Sequence, residues 1–483
     1  MKLLFLCKLL IILLLFNKIQ QKQEEIMELN YNTKNAWEII KKEEAFAFSE
    51  DYKKFISGAK TERESVHTLR ENAIKNGYKD LFEQDPESTR YFAVNDNKNI
   101  LLLREGSQHA ERGMNFIFAH IDSPRVDVKQ NPLYEGFDIA MFRTHYYGGI
   151  KKYQWVTVPL ALHGVIILKN GQKLEISIGE KEEEPVFVIS DLLPHLAKKQ
   201  MEQNAKEFIN AESLDPIVGS IPVEDEKEKD RFKNNVLKIL NNKYGIVEED
   251  FLSSELTLVP AGKARDVGFD ESSVLAYGHD DRICAFTSAR AIFDAGHIDK
   301  TAVVLLFDKE EIGSDGLTGA QSDFIKYAIE KYLKLKGKTQ TVKEVLFNSF
   351  GISGDVNAAL DPLYPDAFEA QNAAIFGRGV VVTKYTGSGG KYSASDASAE
   401  LVFGIRTLFN ENKVPWQMAE LGKVDVGGGG TVAKFLAGKG IATIDVGPGL
   451  LSMHAPYEIV SKADLYSTYL AYKSFIEKFE MGR

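Results

Sequence analysis

Cysteine is close to absent from this chain: Cys7 and Cys284 are the two it has in 483 residues. That is too few for a disulfide framework or a cysteine metal knuckle, and it is the usage of a reducing cytoplasm. Any metal must therefore be held by histidine, aspartate and glutamate, with nine histidines to draw on. Positive charge is also in short supply. A net charge of −10 without basic clusters excludes nucleic acid and anionic membrane as natural partners. No internal repeat of fixed period is present. Long apolar runs are confined to residues 3–16, flanked by Lys2 and Lys18 and interrupted by Lys8. That run is short for a membrane span and lacks a small-x-small cleavage site, so a stable membrane partner is not expected. We read residues 1–26 as a signal-like or translated upstream extension with Met27 as the start, because the globular pattern begins soon after it. A secreted or anchored form is the competing reading of a cytoplasmic protein.

What is present is a large core. Hydrophobic residues make up 44% of the chain, and the length predicts two or three domains. Apolar residues recur at helical spacing over 35–48 and 65–76. Residues 90–94 and 99–103 read as a hairpin turning at 95–98, and 115–119 as a short strand that runs straight into H-I-D-S-P. From 126 to 259 the texture changes to short strand-like runs (155–158, 162–168, 174–178, 186–189) and a charged stretch over 223–231. This predicts an inserted β-rich module. Alternation then returns, with strands over 272–277, 301–307, 379–383, 416–420 and 441–446. Helices are expected over 282–293, 321–335, 397–409, 431–436 and 461–479. The pattern is that of an α/β fold. Gly427 to Gly430 lack the lysine and spacing of a phosphate loop, and read instead as a tight turn that brings backbone close to a substrate.

The strand over 301–307 is followed by Asp308, Glu310 and Glu311. Adjacent carboxylates at a strand end repel, and burying them without a partner costs several kcal/mol, so they call for a cation unless the turn is simply solvated. Strand ends are also where open α/β sheets bind ligands. The same context recurs at His120 (A-H-I-D-S-P), Asp280 (G-H-D-D-R), Asp355 (S-G-D-V-N) and His454 (S-M-H-A). Five such residues supply three ligands to each of two metals if one carboxylate is shared. The sixth is then free to act as a base.

The strings F-A-H-I-D-S-P-R-V-D-V-K-Q-N-P-L-Y-E (118–135), D-K-E-E-I-G-S, S-G-D-V-N-A-A-L-D-P (353–362) and M-H-A (453–455) resemble the aspartyl aminopeptidase and vacuolar aminopeptidase I family of dizinc metallopeptidases. The resemblance runs from about Met27 to the C-terminus. It implies a three-layer mixed-sheet zinc exopeptidase catalytic domain, discontinuous over 27–125 and 260–483, interrupted by a dimerisation domain over 126–259. It also implies two Zn²⁺, with Co²⁺ or Mn²⁺ open to the same donors, peptide substrates, and a homo-oligomer built from dimers up to a tetrahedral dodecamer.

Carried over by residue, the resemblance makes Asp280 the carboxylate shared by both metals, with Asp281 as its competitor. His120 and Asp355 complete one site, and Glu311 and His454 the other. Glu310 is the general base, and Asp122 fixes the His120 tautomer. Lys384 matches a lysine beside the substrate, and His195 matches a histidine lent to the partner's site. His279 is expected to be exposed. Val426 with its glycines, and Ala455 after His454, depart from the family pattern near the substrate pocket, so the preference for N-terminal Asp or Glu is open to broadening. The alternatives are a general or glutamyl aminopeptidase of a related tetrahedral family, or a catalytically silent scaffold. The N-P-L-Y-E string argues against the first and the complete donor set against the second.

Overall fold

The computed structural model describes residues 31–108 and 110–482, so the apolar run at 3–16 and the Met27 start lie outside the described residues. A nine-stranded mixed sheet forms its centre. Four strands at its heart, Ala302–Phe307, Asn115–His120, Phe350–Ser353 and Ala442–Gly447, lie side by side and parallel. Their carboxyl ends therefore open at one edge. The hairpin Arg90–Asn95 and Asn99–Arg104 continues the sheet antiparallel on one side. Val380–Thr383 pairs antiparallel on the other, followed by Trp416–Met418.

Both faces of this sheet are covered, as a parallel core requires. Ile117 and Ala119 point into a core shared with the helices Lys42–Gly58, His279–Asp294 and Lys462–Lys478. Phe116 and Phe118 point the other way, towards Phe324–Leu335 and Ala433–Gly438. The period of two along one strand thus serves two cores.

The second sheet is separate and wholly antiparallel. Its six strands form a half-barrel in the order Lys173–Ile178, Leu160–Ile167, Ser254–Pro260, Arg125–Gly136, Ile139–Tyr147 and Ile217–Gly219. They enclose their own core around Trp155, Phe251 and Leu258. A five-stranded sheet that includes Ser273–Ala276 and Glu458–Ser461 lies beside the central one.

Several expectations need correction. The first helix runs over Lys42–Gly58, not 35–48: the side chain of Asn35 caps only a 3₁₀ turn, and the buried stripe continues through Tyr52, Phe55 and Ile56. Residues 155–158 are turns around the fully buried Trp155, and 186–189 make only isolated bridges. Within the 126–259 region a short helix runs over Lys198–Met201. Among the described residues, no helix is long and apolar enough to cross a membrane.

Candidate active site

Each strand end delivers one part of a buried cluster. The strand Asn115–His120 closes on His120 itself, and Phe350–Ser353 leads through Gly354 to Asp355. After Phe307 the chain turns through Lys309 in the left-handed region, which brings Glu310 and Glu311 back over the edge. His454 comes from the turn after Gly449–Leu451, also with positive φ. Asp280 and Asp281 sit at the head of the helix His279–Asp294 with non-helical dihedrals. They follow Gly278, whose φ of +75° and contact with Arg282 leave no room for a side chain.

The carboxylate of Asp280 lies between the two histidines. Its Oδ1 is 3.1 Å from His120 Nε2 and its Oδ2 is 3.1 Å from His454 Nε2. Glu311 Oε2 lies 3.5 Å from the same His454 nitrogen. The other ring nitrogens are engaged by carbonyls: His120 Nδ1 donates to Asp122 O (3.0 Å) and His454 Nδ1 to Gly149 O (2.8 Å). With Nδ1 the donor, each Nε2 faces carboxylate oxygens, a position that calls for a proton or a metal ion between them.

Three buried oxygens, Asp280 Oδ1, Asp281 Oδ1 and Glu311 Oε1, have no hydrogen-bond partner among the described residues. Ligand atoms of His120, Asp280 and Glu311 lie within 4.8 Å of one another, as do those of His120, Asp281 and Asp355. The charges tell the same story. Burial, reinforced by neighbouring carboxylates, holds Asp281, Glu311 and Asp355 well above the ordinary carboxylate range and Glu310 up at about 7. Asp280 is pulled down despite its burial, because His120 and His454 face it. His454 is lifted to about 10: burial opposes the shift, but Asp280 and Glu311 outweigh it. A histidine and carboxylate set short of positive charge fits a pair of zinc ions, and cobalt or manganese would meet the same donors.

Asp122 does more than face His120. Its Oδ1 accepts from the Glu310 N–H (3.1 Å), and its Oδ2 from the Glu311 N–H (3.2 Å) and the Tyr147 hydroxyl (2.8 Å). One buried aspartate thus fixes the turn that carries both glutamates. Tyr147 ends a half-barrel strand, so the second sheet reaches the site. The following Gly148, at φ +74°, packs so that a side chain there would press on Glu311 at 3.3 Å. Glu458 accepts from the backbone N–H of Asp280 (3.1 Å) and of His454 (2.8 Å). Tyr147, Gly149 and Glu458 were not singled out from the sequence. Only the aromatic and glycine pairs of T-H-Y-Y-G-G hinted at the first two.

A cavity of ≈ 400 Å³ opens over Asp280, Glu310, Glu311, Asp355 and His454, walled by Val356, Leu421, Lys434, Phe435 and Met453. Gly428 to Gly430 line it, but Gly428–Gly429 pair antiparallel with Gly387–Ser388 instead of making the tight turn expected of the glycine run. Lys384 does not join this wall. Its ammonium is paired with Asp396 at 2.6 Å, while Thr383 and Thr386 on either side line the cavity. His195 lies in an exposed turn outside the cavity of its own chain. His279 is not exposed as expected. It is fully buried, with Nδ1 on the Tyr52 hydroxyl (2.7 Å) and Nε2 on Val274 O (3.1 Å).

Comparison with known proteins places these features in context. A family model described as aminopeptidase I zinc metalloprotease (M18) matches residues 55–476. A probable M18 family aminopeptidase 1 of Thermotoga maritima is 51% identical over 450 residues, which cover 92% of this chain and 99% of that protein. A crystal structure of an M18 aminopeptidase from Thermotoga maritima superposes with a TM-score of 0.90 at 50% identity, covering 93% of this chain and 100% of that one. The mApe1 dodecamer of S. cerevisiae shares the fold at 20% identity, with a TM-score of 0.73 over 90% of this chain and 97% of that one.

Proposed function

This chain belongs to the aminopeptidase I (M18) family of zinc metalloproteases, which are exopeptidase hydrolases, and from that premise we propose that it removes N-terminal residues from peptides at the cavity around Asp280. The observation that carries the reading is the Asp280 carboxylate reaching the free Nε2 of two histidines at 3.1 Å each. In this assignment Asp280 would be shared between two zinc ions, with His120 and Asp355 holding one and Glu311 and His454 the other; Asp281, grouped with His120 and Asp355, would brace the first. When bound, zinc supplies Lewis acidity towards the scissile carbonyl and acidifies the attacking water.

The protein's own groups do the rest. Glu310 takes the proton from the water that attacks the carbonyl and returns it to the departing amine. Its neighbour Glu311 is turned towards His454, so two adjacent glutamates have different work. Asp122, by accepting from both of their backbone N–H groups, holds that division in place. The His120 and His454 rings are kept in the ligating tautomer by the carbonyls of Asp122 and Gly149.

The half-barrel sheet is the dimerisation unit in this reading, and His195 is its contribution to the partner's site. Support comes from the exposed apolar side chains of Leu192, Leu193 and Leu196 around it. Dimers would assemble further, as in the yeast dodecamer, and the protein would work in the cytoplasm.

The test is zinc content and turnover of wild type and Glu310→Gln on a panel of aminoacyl-anilides. Two zincs in both proteins are expected, with activity about 10²- to 10⁴-fold lower in the variant. A fully active variant would remove Glu310 from the mechanism, and a wild type that binds no metal would remove the site.

A further inference from the structure

The cavity over the cluster is lined by five carboxylates, those of Asp280, Glu310, Glu311, Asp355 and Asp445. Among the described residues, Lys434 is the one lysine or arginine that lines it. Four of the carboxylates belong to the metal cluster and its base. Lys434 has no ion pair or hydrogen bond to any described residue. Its ammonium stands 4.7 Å from the Phe435 ring centre, half-buried in the cavity wall. Lys384 is in the opposite situation. Its ammonium is held by Asp396, which also takes Lys391 at 3.0 Å, and it does not line the cavity.

We infer that Lys434, not Lys384, is the residue that meets a carboxylate of the substrate. The inference rests on the aminopeptidase reading above. A peptide in this cavity presents its N-terminal amine, which an ammonium repels, and uncharged amides, which it binds weakly. It can present a carboxylate in two places: the side chain of an acidic first residue, or the C-terminus of a dipeptide. Either would give Lys434 the charge-assisted partner it lacks within the protein. The apolar groups beside it, Leu421, Phe435 and Met453, shield that contact from water and strengthen it. The alternative role for Lys434 is to offset the charge of Asp445, a buried carboxylate in the same wall with no hydrogen-bond partner among the described residues. That role would affect every substrate equally.

The experiment uses the zinc-loaded full chain as wild type, Lys434→Met, Lys434→Arg and Lys384→Met. Four substrates form two matched pairs: Glu-anilide against Gln-anilide, and Leu-Ala against Leu-Ala-amide. Zinc content and thermal midpoint check that each variant is folded and loaded. The expected result is that Lys434→Met lowers kcat/KM roughly 10- to 100-fold on the acidic member of one pair and leaves its neutral partner within about twofold. Lys434→Arg should restore most of the loss. A loss on Glu-anilide assigns the contact to the first side chain, and a loss on Leu-Ala assigns it to the terminal carboxylate. Calorimetric binding of L-glutamate against L-glutamine reads the first contrast without turnover. Unchanged ratios in both pairs, an equal loss on all four substrates, or a ratio abolished by Lys384→Met instead would overturn the assignment. Failure of the aminopeptidase reading looks different, because wild type would then cleave none of the four.

Discussion

Among the described residues, two interior clusters bring histidine and carboxylates together, and only one of them is closed. At the seam between the half-barrel and the helix Glu62–Lys75, His163 donates to Glu64 (2.7 Å) and meets Glu180 (3.0 Å). Lys60 lies 3.5 Å from Glu180 and donates to the carbonyls of Pro260 and Gly262. Two cations face two anions, and no side-chain atom of the four is left buried and unpartnered among the described residues. At the strand ends, by contrast, His120 and His454 face Asp280, Asp281, Glu310, Glu311 and Asp355, and three oxygens are orphaned. Similar residue types thus make a structural joint in one place and a candidate metal site in the other. What separates them is whether the protein balances its own charge.

Metal should distinguish the two most strongly. If the strand-end cluster is the one that lacks cations, zinc at a thousandfold excess over its dissociation constant stabilises the fold by about 4 kcal/mol. Thermal unfolding of chelator-stripped protein, with and without added zinc, measures this directly. A His163→Leu protein should show the same increment, since its lesion lies in the seam. Equal midpoints with and without zinc would erase the contrast between the clusters.

The seam should break by mutation and by pH instead. His163→Leu leaves Glu64 and Glu180 without their shared partner and should cost about 1–3 kcal/mol in chemical denaturation. Burial pulls the His163 imidazole down, but Glu180 and Glu64 outweigh it and lift it to about 9. A folded pKa raised above the unfolded value of about 6.5 means the imidazolium's contribution is complete below pH 6.5 and disappears as pH rises through 9. The stability gap between wild type and His163→Leu should therefore narrow between pH 6.5 and 9.5. A gap that stays level or widens over that range would show that His163 is neutral in the fold.

Much of the cluster was legible because His120, Glu310, Glu311 and Asp355 lie at or just past the ends of apolar strands of the central sheet, where sequence position places them at its open edge, while Asp280 and His454 come from beyond strands of the five-stranded sheet. The seam was not legible. His163 sits mid-strand in L-A-L-H-G-V, where nothing local separates a paired histidine from any other. The long hairpin Arg125–Gly136 and Ile139–Tyr147 escaped for a related reason. Its register shifts between Val128 and Leu133, around Pro132, so the strict alternation that marks a strand is broken there. With the hairpin went Tyr147 and Gly149, whose partners lie 25 and 305 residues away in sequence. Contacts between separate sheets leave no local signature. Lys434 was hidden differently, since within a short helical pattern its charge reads as an ordinary exposed face.

Tyr147 tests whether the second sheet is only a neighbour of the site or part of its support, and the expected effect is the smallest. Tyr147→Phe removes one of three donors to Asp122 and leaves the Glu310 and Glu311 N–H groups in place. The lost bond is worth about 1 kcal/mol, so a fall in kcat of roughly fivefold is expected if the Glu310 turn loosens. KM and bound zinc should stay the same, because neither substrate nor ligand contacts are removed. The ring itself packs under the Arg125 guanidinium at 4.0 Å, a contact that phenylalanine keeps. A general loss of packing would therefore appear in Tyr147→Ala and not in Tyr147→Phe. If Tyr147→Phe instead weakens zinc binding at constant kcat, then Asp122 acts mainly through His120 and Glu311, and the half-barrel steadies the metal and not the base. If neither quantity moves, the two backbone donors suffice for Asp122, and the hydroxyl contact is incidental.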